Sequence, residues 1–382
     1  MSAETPPELV LANAQIVLPD AVMHGSVVIR DGRIAEISEG SAPGEDLAGD
    51  YLLPGLVELH TDHLENHYAP RPGVRWNPIA AVQAHDAQVA ASGITTVFDA
   101  LRVGTDEQSN MAAPDMQLLA EAIALGMEKD RLRADHLIHL RCEVSAPDCG
   151  EEFLALQDIP LVRLVSLMDH APGQRQFASL DAYRLYYQGK LKMSDADFDA
   201  FCRRRIAESE AYAPGNRTAI ADICRDRGIV LASHDDATGA HVLESQAHGV
   251  RVAEFPTTRE AAKASHEAGL AVMMGAPNIM RGGSHSGNVS AKALAAEGLL
   301  DILSSDYVPF SLMQAAFHIG DVVAGMSLPE AVSLVSSRPA AALGLEDRGA
   351  IVAGRRADLV QVTVDEGVPI VRKVWREGRR VL

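Results

Sequence analysis

The segment LVELHTDHLENHYAPRPG, residues 56–73, gathers side chains that can bind a cation. It holds three histidines, one aspartate and two glutamates directly after a short apolar run. If that run is a strand, side chains two residues apart share a face, so Glu58, His60 and Asp62 point the same way. Imidazole and carboxylate groups together suit zinc and also harder ions such as manganese. The segment therefore predicts one corner of a site for a divalent metal.

Eight apolar runs of β type alternate along the chain with alanine-rich stretches that favour helices. The runs are YLLPGLVELH (51–60), TTVFDA (95–100), HLIHLRCEV (136–144), LVRLVSLMDH (161–170), IVLASHDD (229–236), VRVAEFPTT (250–258), AVMMGAPN (271–278) and ILSSDYVP (302–309). Eight parallel strands with intervening helices are what a closed barrel requires. The predicted fold class is α/β, a (β/α)8 TIM-like barrel.

Polar side chains stand at the end of these runs. They are His60, Asp62, Asp99, Glu143, His170, His234, Glu254, Asn278 and Asp306. Active sites of such barrels form at the carboxyl ends of the strands, so we expect these side chains to converge. Strand alternation also places His139, Arg141 and Glu143 on one face of the third strand.

The two ends of the chain share a different sequence pattern, in which short runs rich in β-branched residues alternate with turns. Asp31-Gly32 is a good hairpin turn near the N-terminus. We expect both termini to build one small β-sandwich domain, residues 1–51 and 345–382, beside a barrel of residues 52–344. Between the fourth and fifth runs lies an insertion of nearly sixty residues, in which Ser194, with Asp197 three residues on, predicts a helix start.

Composition limits the partners and the compartment. The 52 acidic residues against 34 basic ones make the surface anionic, which argues against a nucleic-acid or membrane partner. Four cysteines without a CxxC pair, and an N-terminus without a signal sequence, favour a reduced cytoplasmic protein. The sequence does not fix the oligomeric state, and a homo-oligomer is compatible with it.

These residues, in this order, resemble the amidohydrolase superfamily. The resemblance rests on the split β-domain, on Pro54-Gly55 before the first motif, on ASHDD, on the SSD of strand eight and on the tail RPAAALGLEDRGAIVAGRRADLV. It implies a ligand set for the divalent metal: His60, Asp62, Glu143, His170, His234 and Asp306. Two departures stand out, since the usual HxH motif is His60-Thr61-Asp62 here and Glu254 replaces the usual strand-six histidine. We expect His170 on strand four to compensate.

Within that superfamily, the chain looks like the PhnM family of phosphonate use. The segments LPGLVELHTDHLENHYAPRPGVRW, LVSLMDHAPGQRQF, ASHDDAT, EFPTT, MMGAPNIMRGGSHSGNVSA and LSSDYVP carry this likeness over most of the barrel. The resemblance implies hydrolysis of α-D-ribose 1-methylphosphonate 5-triphosphate, a small phosphorylated substrate, to the 5-phosphate and diphosphate.

The residues are compatible with that chemistry. One or two divalent ions, zinc or manganese, would neutralise the triphosphate and make hydroxide available near neutral pH. Asp306, at the end of strand eight, is the expected catalytic base. Basic side chains must hold the remaining phosphates. The candidates are Arg71, Arg75, Arg175, Lys190, Arg281 and His285.

Two other functions stay open at this stage. A deaminase or cyclic-amide hydrolase would keep the metal and act on uncharged substrates. A barrel without catalysis could instead serve as a component of an assembly, although His60, Asp62, His234 and Asp306 together disfavour that reading.

Overall fold

The computed structural model describes residues 8–105, 111–175, 184, 193–284 and 287–382. In chain order, its strands are β1 (Leu9–Val17), β2 (Val22–Arg30), β3 (Arg33–Glu39), β4 (Glu45–Asp46), β5 (Tyr51–Pro54), β6 (Leu56–Thr61), β7 (Ile94–Val103), β8 (Asp135–Glu143), β9 (Val162–Met168), β10 (Val230–His234), β11 (Val252–Glu254), β12 (Ala271–Gly275), β13 (Ile302–Ser304), β14 (Leu359–Asp365), β15 (Val368–Arg376) and β16 (Arg379–Arg380). They form two eight-stranded sheets.

Helices connect most of the strands. Those of the described residues are α1 (Leu64–Tyr68), α2 (Pro78–Ala91), α3 (Ala113–Glu128), α4 (Cys149–Leu156), α5 (Asp195–Arg227), α6 (Gly239–Ala247), α7 (Arg259–Glu267), α8 (Ala276–Arg281), α9 (Ala291–Ala296), α10 (Ser311–Val322), α11 (Leu328–Ser333) and α12 (Ser337–Ala342). None of them is both long enough and apolar enough to cross a membrane.

The terminal segments build one sheet together. Its order is β16-β15-β14-β5-β1-β2-β3, with β4 beside β1, so strands from the two ends of the chain meet where β14 pairs with β5. Leu11, Ile16, Leu52 and Trp375 are fully or almost fully buried in its core. The expectation that both termini form one small β-domain is confirmed, whereas the division of the chain at residues 52 and 344 stays a prediction.

The second sheet is a parallel barrel of β6 to β13 in sequence order. Strands β6 and β13 meet at its seam, where Thr61 and Asp306 form a parallel bridge and the Asp306 amide donates to the His60 carbonyl at 3.1 Å. The Glu58 carboxylate links the same strands, because it accepts hydrogen bonds at 2.7 Å from Ser304 Oγ and at 2.6 Å from the Ser305 amide. The predicted (β/α)8 TIM-like barrel is confirmed.

Local sequence sets the boundaries. The first apolar run divides at Gly55 into β5 of the terminal sheet and β6 of the barrel, and a Cβ at Gly55 would come within 2.1 Å of Thr95 Oγ1. In the insertion, the Ser194 hydroxyl accepts from the Asp197 amide at the start of α5, as the spacing predicts. Gly228, with a φ of 66°, ends that helix in the left-handed conformation.

Candidate active site

A cavity of about 180 Å³ opens at the carboxyl ends of the barrel strands, the end that we call the rim of the barrel. Four of the six predicted metal ligands line it, namely His60, His170, His234 and Asp306. Arg141 and Arg281 contribute two cationic side chains to the same wall. The cavity therefore brings together imidazole, carboxylate and guanidinium groups from strands and loops that are distant in sequence.

The first group of potential ligands joins β6 and β11. The buried Glu254 carboxylate lies 2.6 Å from His60 Nδ1, and His139 packs against the His60 ring at 5.2 Å. Burial alone would raise the pKa of Glu254, but His60, His139 and His234 hold it well below its ordinary value. Glu254 is therefore an ionised carboxylate at a rim position where the resemblance led us to expect a histidine.

The second group joins the ends of β8, β9 and β10. His170 Nδ1 lies 2.7 Å from Glu143, and the His170 ring contacts that of His234 at 5.4 Å between centroids. Asp235 lies close to both, with Oδ2 at 3.0 Å from His234 Nδ1 and at 3.6 Å from His170 Nε2. Burial would lower the pKa of His170, but the carboxylates of Glu143 and Asp235 raise it to about 9.

Asp306 lies at the seam between β6 and β13 and lines the same cavity as these groups. Burial raises its pKa to about 6, His60 and Arg141 oppose that change and Asp62 adds to it. Asp62 is about one third exposed and lies 3.6 Å from Arg141. Asp62 therefore lies next to Arg141, which lines the cavity.

The backbone of this rim is strained at three positions. Asp235, Phe255 and Asp306 have φ angles of 58°, 54° and 56°, in the left-handed region that non-glycine residues seldom adopt. Each follows the end of a barrel strand, and the amide of each still donates to a neighbouring strand. Strain of this kind concentrates at functional sites, where the surrounding structure maintains it.

The rim fits a divalent cation. Four buried atoms of His234, Asp235 and Glu254 have no hydrogen-bond partner among the described residues, namely His234 Nδ1, His234 Nε2, Asp235 Oδ2 and Glu254 Oε2. The contact between Asp235 and His234 is short, but it does not have hydrogen-bond geometry. At the rim, two sets of three side chains have ligand atoms within 4.8 Å of one another: His60, His139 and Glu254, and His170, His234 and Asp235. Imidazole and carboxylate donors with unpaired acceptor atoms are the surroundings that such an ion requires.

His139 is the exception within these sets. Its Nδ1 lies 3.1 Å from the Leu59 carbonyl and its Nε2 lies 2.9 Å from Ser166 Oγ, so both ring nitrogens have protein partners. Burial lowers the pKa of His139 to about 3, which keeps the ring neutral. His139 therefore packs against the His60 ring and helps to fix its position.

The structure separates the six predicted phosphate-binding residues. Arg281 lines the cavity. Arg71 and Arg75 follow α1 and are not among the cavity-lining residues. Arg75 pairs with Asp115 at 3.1 Å. Arg175 is only 3% exposed and its guanidinium pairs with Asp236 and Glu244. Lys190 and His285 lie outside the described residues.

Two residues at the rim were not selected from the sequence. Arg141 lines the cavity, and the strand alternation that selected Glu143 places Arg141 on the same face two residues earlier. Asp235 follows His234 directly, and its left-handed backbone directs it to His170 as well. Alternation was therefore a usable signal for Arg141, whereas no local pattern predicts the turn at Asp235.

Comparison with known proteins agrees with this architecture. The family model described as "Amidohydrolase family" matches residues 171–382. The chain is 46% identical over 377 residues to the alpha-D-ribose 1-methylphosphonate 5-triphosphate diphosphatase of Escherichia coli K12, covering 98% of this chain and all of that protein. An imidazolonepropionase of Deinococcus deserti is 26% identical and covers 95% of this chain, which spans 92% of that enzyme.

Solved structures share the fold at lower identity. A 5-methylcytosine deaminase from Klebsiella pneumoniae has a TM-score of 0.63 at 16% identity, and covers 98% of both chains. An N-acetylglucosamine-6-phosphate deacetylase from Thermotoga maritima has a TM-score of 0.58 at 16% identity, with 98% of this chain and 99% of that one covered. With its barrel, its rim of imidazoles and carboxylates and these relatives, the chain belongs to the amidohydrolase family.

Proposed function

We propose that this protein is a metal-dependent hydrolase that converts α-D-ribose 1-methylphosphonate 5-triphosphate to the 5-phosphate and diphosphate. The observation that carries the proposal is one cavity that combines unpaired imidazole and carboxylate atoms with Arg141 and Arg281. A triphosphate needs both features, because a bound cation would neutralise part of its charge and guanidinium groups would balance the rest. The E. coli relative, whose name includes this substrate, aligns along its whole length.

The residues that would hold one or two divalent ions are those of the rim. We assign His60, Glu254, His170, His234 and Asp235 to this role, with Asp306, Asp62 and Glu143 beside them. Zinc or manganese suits such mixed nitrogen and oxygen donors. When bound, the ion would neutralise phosphate charge and lower the pKa of water toward about 7.

Asp306 is the group we assign to proton transfer. With a pKa of about 6 it is ionised at neutral pH and can accept a proton from an attacking water. In the proposed step, the water oxygen bonds to the α-phosphorus and the bond from that phosphorus to the bridging oxygen breaks. Asp306 takes the water proton, and diphosphate leaves with the electron pair.

Arg141 and Arg281 are the side chains we assign to the phosphates. Both line the cavity, and Arg141 is held near Asp62 at 3.6 Å, a distance that leaves its guanidinium only loosely paired. A planar guanidinium binds phosphate oxygens in a bidentate manner. Charge on this wall would therefore favour a triphosphate over an uncharged cyclic amide.

A substrate comparison tests the reaction class. Purified, metal-loaded protein is expected to release diphosphate from the ribose phosphonate triphosphate and to leave cyclic amides and nucleobases intact. Turnover of a cyclic amide or a nucleobase without any diphosphate release would replace this proposal by the chemistry of the imidazolonepropionase or deaminase relatives.

Isotope labelling tests the bond that breaks. In water enriched in oxygen-18, the label is expected in the ribose 5-phosphate product, because water attacks the α-phosphorus. Label in the diphosphate would mean attack at the β-phosphorus, and it would contradict the proposed step while leaving the overall reaction in place.

A further inference from the structure

A second cluster of histidines lies outside the cavity, between α1 and α2. It consists of His63 and His67, four residues apart at α1, and of His85 on α2. The ring centroids are 5.3 Å apart for His63 and His67, 5.9 Å for His67 and His85, and 6.2 Å for His63 and His85. None of these residues lines the cavity. We propose that the three imidazoles form a second cation site, for a zinc-type divalent ion.

The strongest support comes from His85, which is fully buried. Its Nε2 lies 2.8 Å from Asp99 Oδ1, so Nε2 carries the proton and donates it to the carboxylate. The lone pair of the neutral ring is then on Nδ1, which has no hydrogen-bond partner among the described residues. Burial lowers the pKa of His85, which favours this neutral form. A histidine whose second nitrogen is bound by a carboxylate is the usual form of a metal ligand.

His63 and His67 supply two further nitrogens that converge. The Nε2 atoms of His63 and His67 lie 3.1 Å and 3.2 Å from a single atom, Gln88 Oε1. Gln88 Oε1 can only accept, so in the ion-free protein it favours a proton on Nε2 of both rings. Binding of an ion through Nε2 requires that proton to move to Nδ1, which in His63 lies 3.2 Å from the accepting Tyr307 carbonyl. Asn66 Nδ2, at 3.3 Å from the same nitrogen, favours the opposite tautomer, and His85 therefore carries more of the argument.

The rings lie farther apart than in an occupied metal site. Three imidazoles bound to one tetrahedral ion at about 2.0 to 2.1 Å have ring centroids roughly 5 to 5.5 Å apart. Two of the three separations must therefore shorten by about 0.5 to 1 Å. His63 and His67 are half-buried on a short helix and can make this movement, while Gln88 Oε1 is positioned to act as a fourth ligand. The set is rich in imidazole and contains no carboxylate, which selects zinc-type ions over magnesium.

Metal stoichiometry tests the proposal on the full chain. Protein stripped with a chelator is reloaded with Zn²⁺ or Co²⁺, freed of excess ion by gel filtration and analysed by mass spectrometry of the metal. His67→Gln is expected to lose about one equivalent relative to the wild type, and so is His63→Gln. The matched control is His318→Gln, a similarly exposed histidine outside the cluster, which is expected to lose none.

A rim variant separates this site from the catalytic one. In a His234→Asn background, one equivalent of Co²⁺ is expected to remain, with the visible absorption of a tetrahedral centre, and His67→Gln is expected to remove it. Millimolar Mg²⁺ should not displace it. Equal stoichiometry in the wild type, His63→Gln and His67→Gln would overturn the proposal, whatever the outcome for the proposed reaction.

Discussion

Glu254 shows how a single residue can depart from a family pattern without breaking the site. It ends the sixth barrel strand, where the resemblance leads one to expect a histidine, and its Oε1 lies 2.6 Å from His60 Nδ1. Its second oxygen is buried, without a hydrogen-bond partner among the described residues, and lies 3.7 Å from His234 Nε2. The carboxylate can therefore orient His60 through Oε1 and still offer Oε2 to an ion bound by His234.

Asp306 carries the first prediction at this scale. Asp306→Asn keeps the size of the side chain but removes the base, so kcat is expected to fall by about 10²- to 10⁴-fold. Steady-state diphosphate release measures the loss, and thermal unfolding checks that the fold persists. Asp321→Asn, at an exposed aspartate on α10, is the control and is expected to keep wild-type turnover. A folded Asp306→Asn protein with nearly normal kcat would exclude Asp306 as the base.

The sequence predicted the rim better than the phosphate contacts. Position at a strand end, together with the family resemblance, selected His60, His170, His234 and Asp306, which all line the cavity. Arg175 had the right charge in a suitable loop, but it is buried against Asp236 and Glu244. Its pairing depends on α6, 69 residues away in sequence, and no local pattern encodes such a contact.

At the scale of elements, helix α2 is attached to the barrel by a buried polar network. His136 at the start of β8 contacts two carboxylates, Asp99 on β7 at 2.7 Å and Asp86 on α2 at 3.4 Å. His85 on α2 binds the other oxygen of Asp99 at 2.8 Å. Burial would lower the pKa of His136, but the two carboxylates raise it to about 10, and the same contacts lower that of Asp99 to about 2.

This network predicts a loss of stability in alkaline solution. The pKa of His136 is higher in the folded protein than its ordinary value of 6.5, so its contribution is complete below about pH 6.5 and is lost as the pH rises through about 10. The unfolded chain releases the His136 proton near pH 6.5 while the folded protein keeps it, so the free energy of unfolding is expected to fall by about 1 to 3 kcal/mol between pH 7 and pH 9. Urea denaturation of metal-free protein at several pH values measures it.

The matching variant is His136→Gln, which is expected to be less stable at pH 7 and to show a flatter dependence on pH. His266→Gln, at an exposed histidine, should retain the wild-type slope. An unchanged slope in His136→Gln would assign the alkaline loss to other groups, such as His170.

The succession of elements was readable from the sequence, but their limits were not. Each of the eight apolar runs overlaps a barrel strand, because a buried parallel strand reads as continuous apolar sequence. The first run, however, spans two sheets, since Pro54 still pairs with Leu359 of the terminal sheet while Leu56 already pairs with Ile94 of the barrel. Both halves contain buried apolar residues, so the pairing partners are what distinguishes them.

At the scale of the whole molecule, chemistry and stability occupy opposite ends of the barrel. The candidate site lies at the carboxyl ends of the strands. At the amino end, Asp135 begins β8 and pairs with Arg348 at 2.8 Å, Arg356 at 2.7 Å and Arg376 at 3.4 Å. All three arginines come from the C-terminal segment, so one carboxylate links that segment and the terminal sheet to the barrel.

Asp135→Asn is therefore expected to destabilise the protein without changing its chemistry. The substitution leaves three largely buried guanidinium groups short of one counter-charge, which costs about 3 kcal/mol of unfolding free energy. Urea denaturation measures that loss, and kcat of the folded fraction should stay within about twofold of the wild type, because the rim is unaltered. The control, Asp365→Asn at an exposed position, should change neither value. A large fall in kcat at full stability would instead mean that the position of the terminal sheet controls the geometry of the rim.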